Sequence, residues 1–460
     1  MKRTALLGFS GFVLLCLVLL ALTRFGTNHT DNTPVPPDLG VDLPIPPEVD
    51  SLNSDFDSNT DNSDMSGDKI TDSDLDSNLQ DLDTDTSQTH GTKSLEEMTA
   101  SELVADIRIG WSLGNTLDAH NGAKGFANLG GGIYANTSVT ELETGWGRPV
   151  TTAEHINAVK DAGFNAIRIP VTWFKACDDE LNIREDWMLR VKEVIDYAAV
   201  NDLYIILNTH HDEMLYGLLD TTVEASKIAM DKIWTQIATV FRDYDEKLFF
   251  EGLGEPRTAG SPAEWRGGTE EEHKNLNILN QVFVDTVRAT GGNNTERVLL
   301  VPTYAASANE TAQRALEIPN DTANEKIVVS LHFYEPWNFA LRTGDGSVDT
   351  WDVNNNLDTD PIKRYVDLAY EIFVSNGIPV IIGEMGAVNR GNTQARVAWS
   401  EFYVSYAASK GIKCIWWDNG SYWVLRRRDW GWEQTFGLLD REKIEIAHPE
   451  IVDALMRAAS

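Results

Sequence analysis

Two glutamates each follow an apolar, strand-like run and precede a turn. Glu255 lies in FFEGLGEPR and Glu384 lies in VIIGEMG. Two carboxyl groups about 5–5.5 Å apart can cleave a glycosidic bond with retention, because one protonates the leaving oxygen while the other, ionised, attacks the sugar. Alternatively, each glutamate only caps the helix that follows, since carboxylates favour helix N-termini. The pair predicts a hydrolytic site if the fold brings the two side chains together.

Apolar, β-rich runs alternate with amphipathic helical runs between Ser94 and Ser460. The predicted strands are 107–113, 166–171, 204–208, 248–253, 298–301, 327–331, 379–382 and 413–417. The predicted helices, which have apolar residues at a spacing of three and four, include 152–162, 187–200, 223–243, 271–290, 362–375 and 393–409. Near-continuous apolar strands are typical of buried parallel sheets. Eight alternations in 94–460 predict an α/β fold, namely a (β/α)8 TIM barrel. A doubly wound sheet is less favoured, because the sequence shows no glycine-rich phosphate turn.

Polar or aromatic residues follow nearly every predicted strand. They are Asn115, Asp118, Arg168, His210, His211, Glu255, Tyr304, His332, Tyr334, Glu384, Trp417, Asp418 and Asn419. Catalytic groups of a (β/α)8 barrel collect at this end of the strands. Since the fourth and seventh strands face each other across the bore, we expect Glu255 and Glu384 to approach one another there.

Eight short motifs occur in order along the same region. They are GWSLGNTLDA (110–119), ETGWGRPV (143–150), IRIPVTW (167–173), ILNTHHD (206–212), GLGEPR (252–257), LHFYEP (331–336), IIGEMG (381–386) and WWDNG (416–420). Together they resemble glycoside hydrolase family 5, the large cellulase family with a (β/α)8 barrel, and in particular its endoglucanase-rich bacterial subfamily. The resemblance runs from about Lys93 to the end of the chain. It implies a retaining endo-β-1,4-glucanase that uses no metal or other cofactor, with Glu255 as acid/base and Glu384 as nucleophile.

The resemblance also implies supporting roles around the two glutamates. Arg168 would hydrogen-bond the Glu384 carboxylate and keep its pKa low, and Tyr334 would donate toward the same group. His332 would line the acid/base side. His210 would meet the sugar bound before the cleavage point, whereas His211 is either a second contact or a loop residue. Taken singly, these histidines would more often be core groups.

Tryptophan rings are suited to a glycan cleft because sugar C–H faces stack on them. Trp417, at the end of the eighth strand, is expected to form the floor of the subsite that holds the cleaved sugar. The other candidates line either the groove or the core, and they are Trp111, Trp146, Trp173 and Trp337, with Trp430 and Trp432 at a rim.

Gly254 departs from the family pattern, in which Asn precedes the acid/base glutamate. That amide holds the sugar 2-hydroxyl, a contact that strengthens in the transition state, so its loss predicts a reaction on the order of 100- to 1000-fold slower. A weakened enzyme, a site for a different or 2-substituted sugar, and an altered residue in the sequence are the three explanations, and the first is favoured. Ser112, where the family usually has Asn, is a lesser departure.

The first 93 residues differ in character from the rest. Residues 1–26 join a cationic start to the apolar stretch 4–23, which predicts either a signal peptide or an N-terminal membrane anchor and places the remainder outside the cell. Residues 27–93 are Pro-rich and then Asp/Ser-rich, with sixteen acids against two lysines, which predicts a disordered acidic linker. We therefore expect an extracellular enzyme, either secreted or tethered to the membrane or cell wall, with its catalytic domain in 94–460.

The charge balance excludes some partners. The sequence has 38 Lys and Arg residues against 71 Asp and Glu residues, for a formal net charge of -33. Nucleic acids are gripped by clustered basic side chains, so they are not expected partners. The expected substrate is a neutral β-glucan polysaccharide, bound by a monomer. The alternatives are a xyloglucanase, lichenase, xylanase or mannanase on the same barrel, and a catalytically impaired glycan-binding surface protein.

Overall fold

The computed structural model describes residues 93–120, 137–428 and 431–460. The predicted signal or anchor segment at 1–26 lies outside these residues, as does the predicted linker except for Lys93. Within the described ranges, no helix combines the length and the apolar character needed to cross a membrane.

Eight parallel strands close into a barrel in chain order, which confirms the predicted (β/α)8 architecture. The strands are β1 Gly110–Leu113, β2 Ala166–Ile169, β3 Tyr204–Asn208, β4 Leu248–Glu251, β5 Leu299–Ser307, β6 Ile327–His332, β7 Val380–Met385 and β8 Lys413–Asp418. Pairing of β8 with β1 completes the barrel. The predicted fifth strand is too short, because β5 continues through an irregularity between Pro302 and Ser307 before it pairs again with β6.

Helices surround the barrel and follow its strands. They are α1 Ala100–Asp106, α2 Val139–Thr144, α3 Ala153–Asp161, α4 Glu185–Val200, α5 Val223–Phe241, α6 Glu270–Ala289, α7 Glu310–Ala315, α8 Trp337–Ala340, α9 Asn356–Ile372, α10 Thr393–Ser409 and α11 Pro449–Ala458. Short 3₁₀ helices span Phe174–Ala176, Gly292–Thr295 and Val374–Asn376. Two small antiparallel pairs follow β8, namely β9 Arg427–Arg428 with β10 Gly431–Trp432, and β11 Leu439–Asp440 with β12 Glu445–Ile446.

The lower part of the bore is apolar and closed. Its cluster contains side chains from most strands, namely Ala166, Tyr204, Ile206, Phe249, Leu300, Val328, Ile381 and Ile415. Helix α1 adds Leu103 and Val104 to this cluster. The helix begins at a capping box in which Thr99 and Glu102 satisfy each other's backbone N–H groups. The Lys413 ammonium, at the start of β8, donates to the Ala105 carbonyl, so α1 seals the N-terminal end of the barrel.

A polar layer lies directly above the apolar one. Side chains alternate across a strand, so the residue two positions after an inward apolar residue also faces inward. This places Arg168, Asn208, Glu251 and Ser330 in the bore, and all four side chains are buried. The carboxyl ends of the strands continue upward from this layer, so it supports the residues that the sequence analysis selected.

Candidate active site

Glu255 and Glu384 lie together at the carboxyl end of the barrel. Glu255 follows β4, and Glu384 belongs to β7. One oxygen of each carboxylate and a ring nitrogen of His332 all lie within 4.8 Å of one another. Glu384 is almost fully buried, whereas the Glu255 side chain is 22% exposed. The fold therefore brings the two carboxyl groups to a spacing compatible with double displacement.

Arg168 makes the predicted contact with Glu384, and it also makes a second one. Its Nη1 donates to Glu384 Oε1 at 2.9 Å, and its Nε donates to Glu251 Oε2 at 2.8 Å. Glu251 accepts further hydrogen bonds from Asn208 and Ser330. Sequence reasoning missed Glu251. A carboxylate within an otherwise apolar strand was the available signal, because a buried charge requires a partner.

Arg168 lowers the pKa of Glu384 as expected, but the net shift of that pKa in the free site is upward. Burial raises this pKa, and the neighbouring Glu255 adds to the rise, although the charges of His332 and Arg168 oppose it. The physical reason is burial, because only 7% of the Glu384 side chain is exposed to water.

Glu255 shifts in the opposite direction. Burial alone would raise its pKa, but a hydrogen bond from His332 Nδ1 at 3.0 Å, together with the charges of His332 and Arg257, lowers the pKa of Glu255 to about 2. His332 lies on the acid/base side as expected. Arg257, which sequence reasoning did not select, has its Nη1 3.7 Å from Glu255 Oε2.

Tyr334 donates its hydroxyl to Glu384 Oε2 at 2.9 Å, as the sequence analysis expected. Burial and the two glutamate charges raise the pKa of Tyr334 well above its usual value. The phenol therefore keeps its proton, and Tyr334 and Arg168 together fix both oxygens of Glu384.

His210 and His211 both reach the site. His210 Nε2 lies 4.0 Å from Glu384 Oε1, and the His210 ring faces the Trp417 ring at 5.9 Å between centroids. His211 adopts a left-handed backbone, with φ of 56°, and its ring lies 4.2 Å from that of His210. Burial lowers the pKa of His211 to about 3, so its ring is neutral at physiological pH. His211 lines a small cavity together with Gly254 and Glu255, and a contact between its ring and the sugar stays a prediction.

Two of the other tryptophans are buried in the core and two are exposed. Trp111 and Trp173 are buried and bonded to Asp418 and to the Asn208 carbonyl, so they belong to the core. Trp337 is 42% exposed and Trp265, which sequence reasoning overlooked, is 49% exposed. Trp430 and the side chain of Trp432 lie outside the described part of the chain.

Asn115, two residues after β1, has a left-handed conformation with φ of 58°, and its N–H donates to Asp118 Oδ2 at 3.0 Å. This contact shapes the first loop. Among the residues that the structure describes, two groups have ligating atoms within 4.8 Å of each other, namely Asp118 with His210 and His211, and Glu255 with His332 and Glu384. The absence of a metal remains a prediction for both groups.

Gly254 and His210 are in close proximity. A Cβ added at Gly254 would lie 2.5 Å from His210 Nδ1. The Gly254 N–H donates to the Thr209 carbonyl at 2.8 Å, which fixes the backbone there. The His210 ring therefore occupies space that any larger side chain at position 254 would need.

The barrel and its carboxylate pair define a class of enzyme, and a sequence comparison agrees with it. The chain belongs to glycosyl hydrolase family 5, since the cellulase model of that family matches residues 132–422. It is therefore a glycoside hydrolase.

Individual relatives are similar over most of the described chain. Endoglucanase A of Clostridium longisporum is 41% identical over 360 residues, which are 78% of this chain and 65% of that protein. A GH5-4 broad specificity endoglucanase from Ruminococcus champanellensis, solved with bound cellotriose, has 42% identity and a TM-score of 0.72, covering 78% of this chain and 98% of that one. XEG5A, a xyloglucan-specific endo-β-1,4-glucanase from a metagenomic library, has 41% identity and a TM-score of 0.68, covering 77% and 98%.

Removing the Glu251 charge is expected to destabilise the protein. The Glu251 carboxylate accepts hydrogen bonds from Arg168, Asn208 and Ser330. Glu251→Gln replaces one of its two oxygens by an NH2 donor, and leaving a buried donor without an acceptor costs about 1–3 kcal/mol. The free energy of unfolding, measured in urea at pH 7, should fall by that amount. The exposed Glu401→Gln variant, which loses only a surface pair with Arg457, should change by less than about 1 kcal/mol. Equal losses in the two variants would contradict the prediction.

Proposed function

We propose that this glycoside hydrolase is a retaining endo-β-1,4-glucanase in which Glu384 is the nucleophile and Glu255 the acid/base. The observation that carries the proposal is the carboxylate pair at the barrel mouth, with oxygens within 4.8 Å of a shared histidine and of each other. The endoglucanase relatives support this assignment of the reaction.

The reaction proceeds in two displacements. Glu384 attacks the anomeric carbon while Glu255 gives its proton to the departing glycosidic oxygen, so the glycosidic C–O bond breaks and a glycosyl ester forms. Glu255, now ionised, takes a proton from a water molecule that attacks the same carbon and releases Glu384. Two inversions at one carbon retain the β configuration.

Substrate binding has to give Glu255 a proton that it lacks in the free site. Glu255 is ionised there because it accepts a hydrogen bond from His332. In the proposed mechanism, the glycosidic oxygen replaces His332 as the partner of Glu255 and favours its protonated form. Arg168 and Tyr334 meanwhile hold the ionised Glu384 in place for attack.

A panel of polysaccharides tests which β-glucan the protein hydrolyses. Reducing ends released from carboxymethylcellulose, mixed-linkage β-glucan and xyloglucan identify the preferred chain, and xyloglucan is included because of the likeness to XEG5A. NMR of the first product from a short cello-oligosaccharide should show the β-anomer. An α-anomer formed first would overturn the retaining mechanism.

An impaired, glycan-binding protein is a second candidate, and the observation that favours it is the contact of His210 with Gly254. In this reading, the histidine ring fills the place of the amide that would hold the sugar 2-hydroxyl. Binding to insoluble glucan without release of sugar would support this candidate against the enzyme.

Substitution at Gly254 separates the effect of the amide from that of added bulk. Gly254→Asn and Gly254→Ala both push the His210 ring aside, but only Asn adds a group for the 2-hydroxyl. We expect kcat/KM of the Asn variant to exceed that of the Ala variant by on the order of 10- to 100-fold, because this contact strengthens in the transition state. Equal activity of the two variants would show that the amide contact is not what this site lacks.

We also propose that 1–26 directs export and that 27–93 acts as a tether between it and the catalytic domain. The cationic start and the apolar stretch support export. Sequencing the N-terminus of the mature protein from culture medium and from washed cells would distinguish a cleaved signal from a retained anchor, and a protein found only in the cytosol would contradict both.

A further inference from the structure

Helix α10 carries a buried arginine whose guanidinium group lacks most of its hydrogen-bond partners. Arg396 has no exposed surface. Its Nε donates to the Ala387 carbonyl at 3.0 Å, but neither Nη1 nor Nη2 has a partner among the described residues. A guanidinium only donates hydrogen bonds, so four N–H bonds face the protein interior without an acceptor.

The positive charge of Arg396 is also uncompensated. Burial lowers its pKa to about 9 and the like charge of Arg390 adds to the effect, so the group remains charged at pH 7. Within the described ranges, no carboxylate forms an ion pair with it. The Trp416 ring centroid lies 6.0 Å away, at the outer limit of a cation–π contact. A buried ion without partners is strongly unfavourable, so Arg396 needs either several hydrogen-bond acceptors or a compensating charge.

Arg297 shows how the same fold treats a buried guanidinium that has no carboxylate partner. It is 1% exposed, like Arg396. Its three nitrogens donate to Asn294 Oδ1 and to backbone carbonyls, namely those of Phe241, Arg242, Tyr244, Asp245 and Leu248. Carbonyl dipoles therefore surround Arg297, whereas Arg396 has only one such partner.

A second buried polar group lies one helical turn from Arg396. Ser400 is fully buried and its hydroxyl also has no partner among the described residues. Residues four apart lie on the same face of a helix, so Ser400 is a neighbour of Arg396 on the buried face of α10. A bound group that accepts several hydrogen bonds would satisfy both the Arg396 guanidinium and the Ser400 hydroxyl. Water would meet that need, but it would leave the charge uncompensated.

We propose that a single halide-sized anion, chloride under ordinary conditions, is bound between Arg396 and Ser400. The site lies in the layer between the strands and α10, since Trp416 packs there and not in the bore. It is separate from the sugar cleft, although Ala387 is only three residues beyond Glu384. No residue of this site belongs to the proposed catalytic machinery.

Thermal unfolding of the full chain in different sodium salts tests the site. At pH 7 and constant ionic strength, replacing gluconate by chloride or bromide should raise Tm in a saturable manner by on the order of a few °C, because an anion that binds only the native state stabilises it. Arg396→Met should remove the difference between the salts. Arg457→Met, at an exposed arginine, should retain it. The same Tm in gluconate and chloride for the parent, or an unchanged salt response in Arg396→Met, would overturn the proposal.

A crystal grown in bromide provides a measurement that does not depend on a folded variant. An anomalous peak within hydrogen-bonding distance of the Arg396 guanidinium would support the anion. A well-ordered water at that position, with no anomalous signal, would overturn it. Line broadening of the chloride NMR signal by the parent should also decrease in Ser400→Ala, which removes one donor and keeps the charge, and unchanged broadening would count against the site.

Discussion

Replacing Glu384 by alanine is expected to lower kcat/KM on β-glucan by on the order of 10⁴-fold or more, because no other carboxylate can form the glycosyl ester. The fold should survive, since Glu251 still neutralises Arg168. Release of reducing ends measures the loss, and Glu401→Ala, at an exposed glutamate, should match the parent.

Glu384→Ala leaves a cavity, which permits a stricter test of whether Glu384 is the nucleophile. With a β-aryl glycoside that has a good leaving group, added azide should restore activity in Glu384→Ala and give the α-glycosyl azide, since a small anion now attacks from the vacated side. Full activity of Glu384→Ala without azide would remove Glu384 from the mechanism. A β-azide product would instead indicate that another group acts as nucleophile.

Glu255→Gln is expected to lower polysaccharide hydrolysis by about 10²- to 10⁴-fold, the usual contribution of a positioned general acid. The loss in the first displacement should nearly vanish for a dinitrophenyl glycoside, because that leaving group needs no proton. The second displacement still needs a base, so the glycosyl-enzyme should accumulate and be detected by intact-protein mass spectrometry.

A larger loss on the polysaccharide than on the dinitrophenyl glycoside would assign the role of general acid to Glu255. Glu401→Gln is the matched control and should affect neither substrate. Equal losses of Glu255→Gln on both substrates in single-turnover experiments would show that Glu255 positions the sugar and does not transfer a proton to the leaving group.

Much of the barrel could be predicted because its strands are buried on both faces. Runs such as YIILN and PVIIG are almost wholly apolar, and β3 begins and ends where the pattern indicates. Helix α7 was missed because its six residues are too few to show a helical period. The extension of β5 was missed because it depends on pairing with β6 across an irregularity, which no local pattern encodes.

The site was predictable in its residues but not in its electrostatics. The chain order of the motifs indicated Glu255, Glu384, Arg168 and Tyr334, and the hydrogen bonds between them follow from their places at the strand ends. The upward shift of the Glu384 pKa depends on how deeply the fold buries this carboxylate and on its distance from Glu255, and neither is encoded in a local sequence pattern. The contact of His210 with Gly254 is likewise visible only in three dimensions.

Arg168 lies between the carboxylates of Glu251 and Glu384, and this arrangement affects the stability of the proposed covalent intermediate. Arg168 can balance one negative charge, so the free site holds an excess of one when Glu251 and Glu384 are both ionised. Esterification of Glu384 by the sugar removes that excess and leaves a balanced pair of Arg168 and Glu251. Loss of that excess would relieve the repulsion between the two carboxylates that share Arg168, so Glu251 would favour the proposed ester from its place in the buried polar layer.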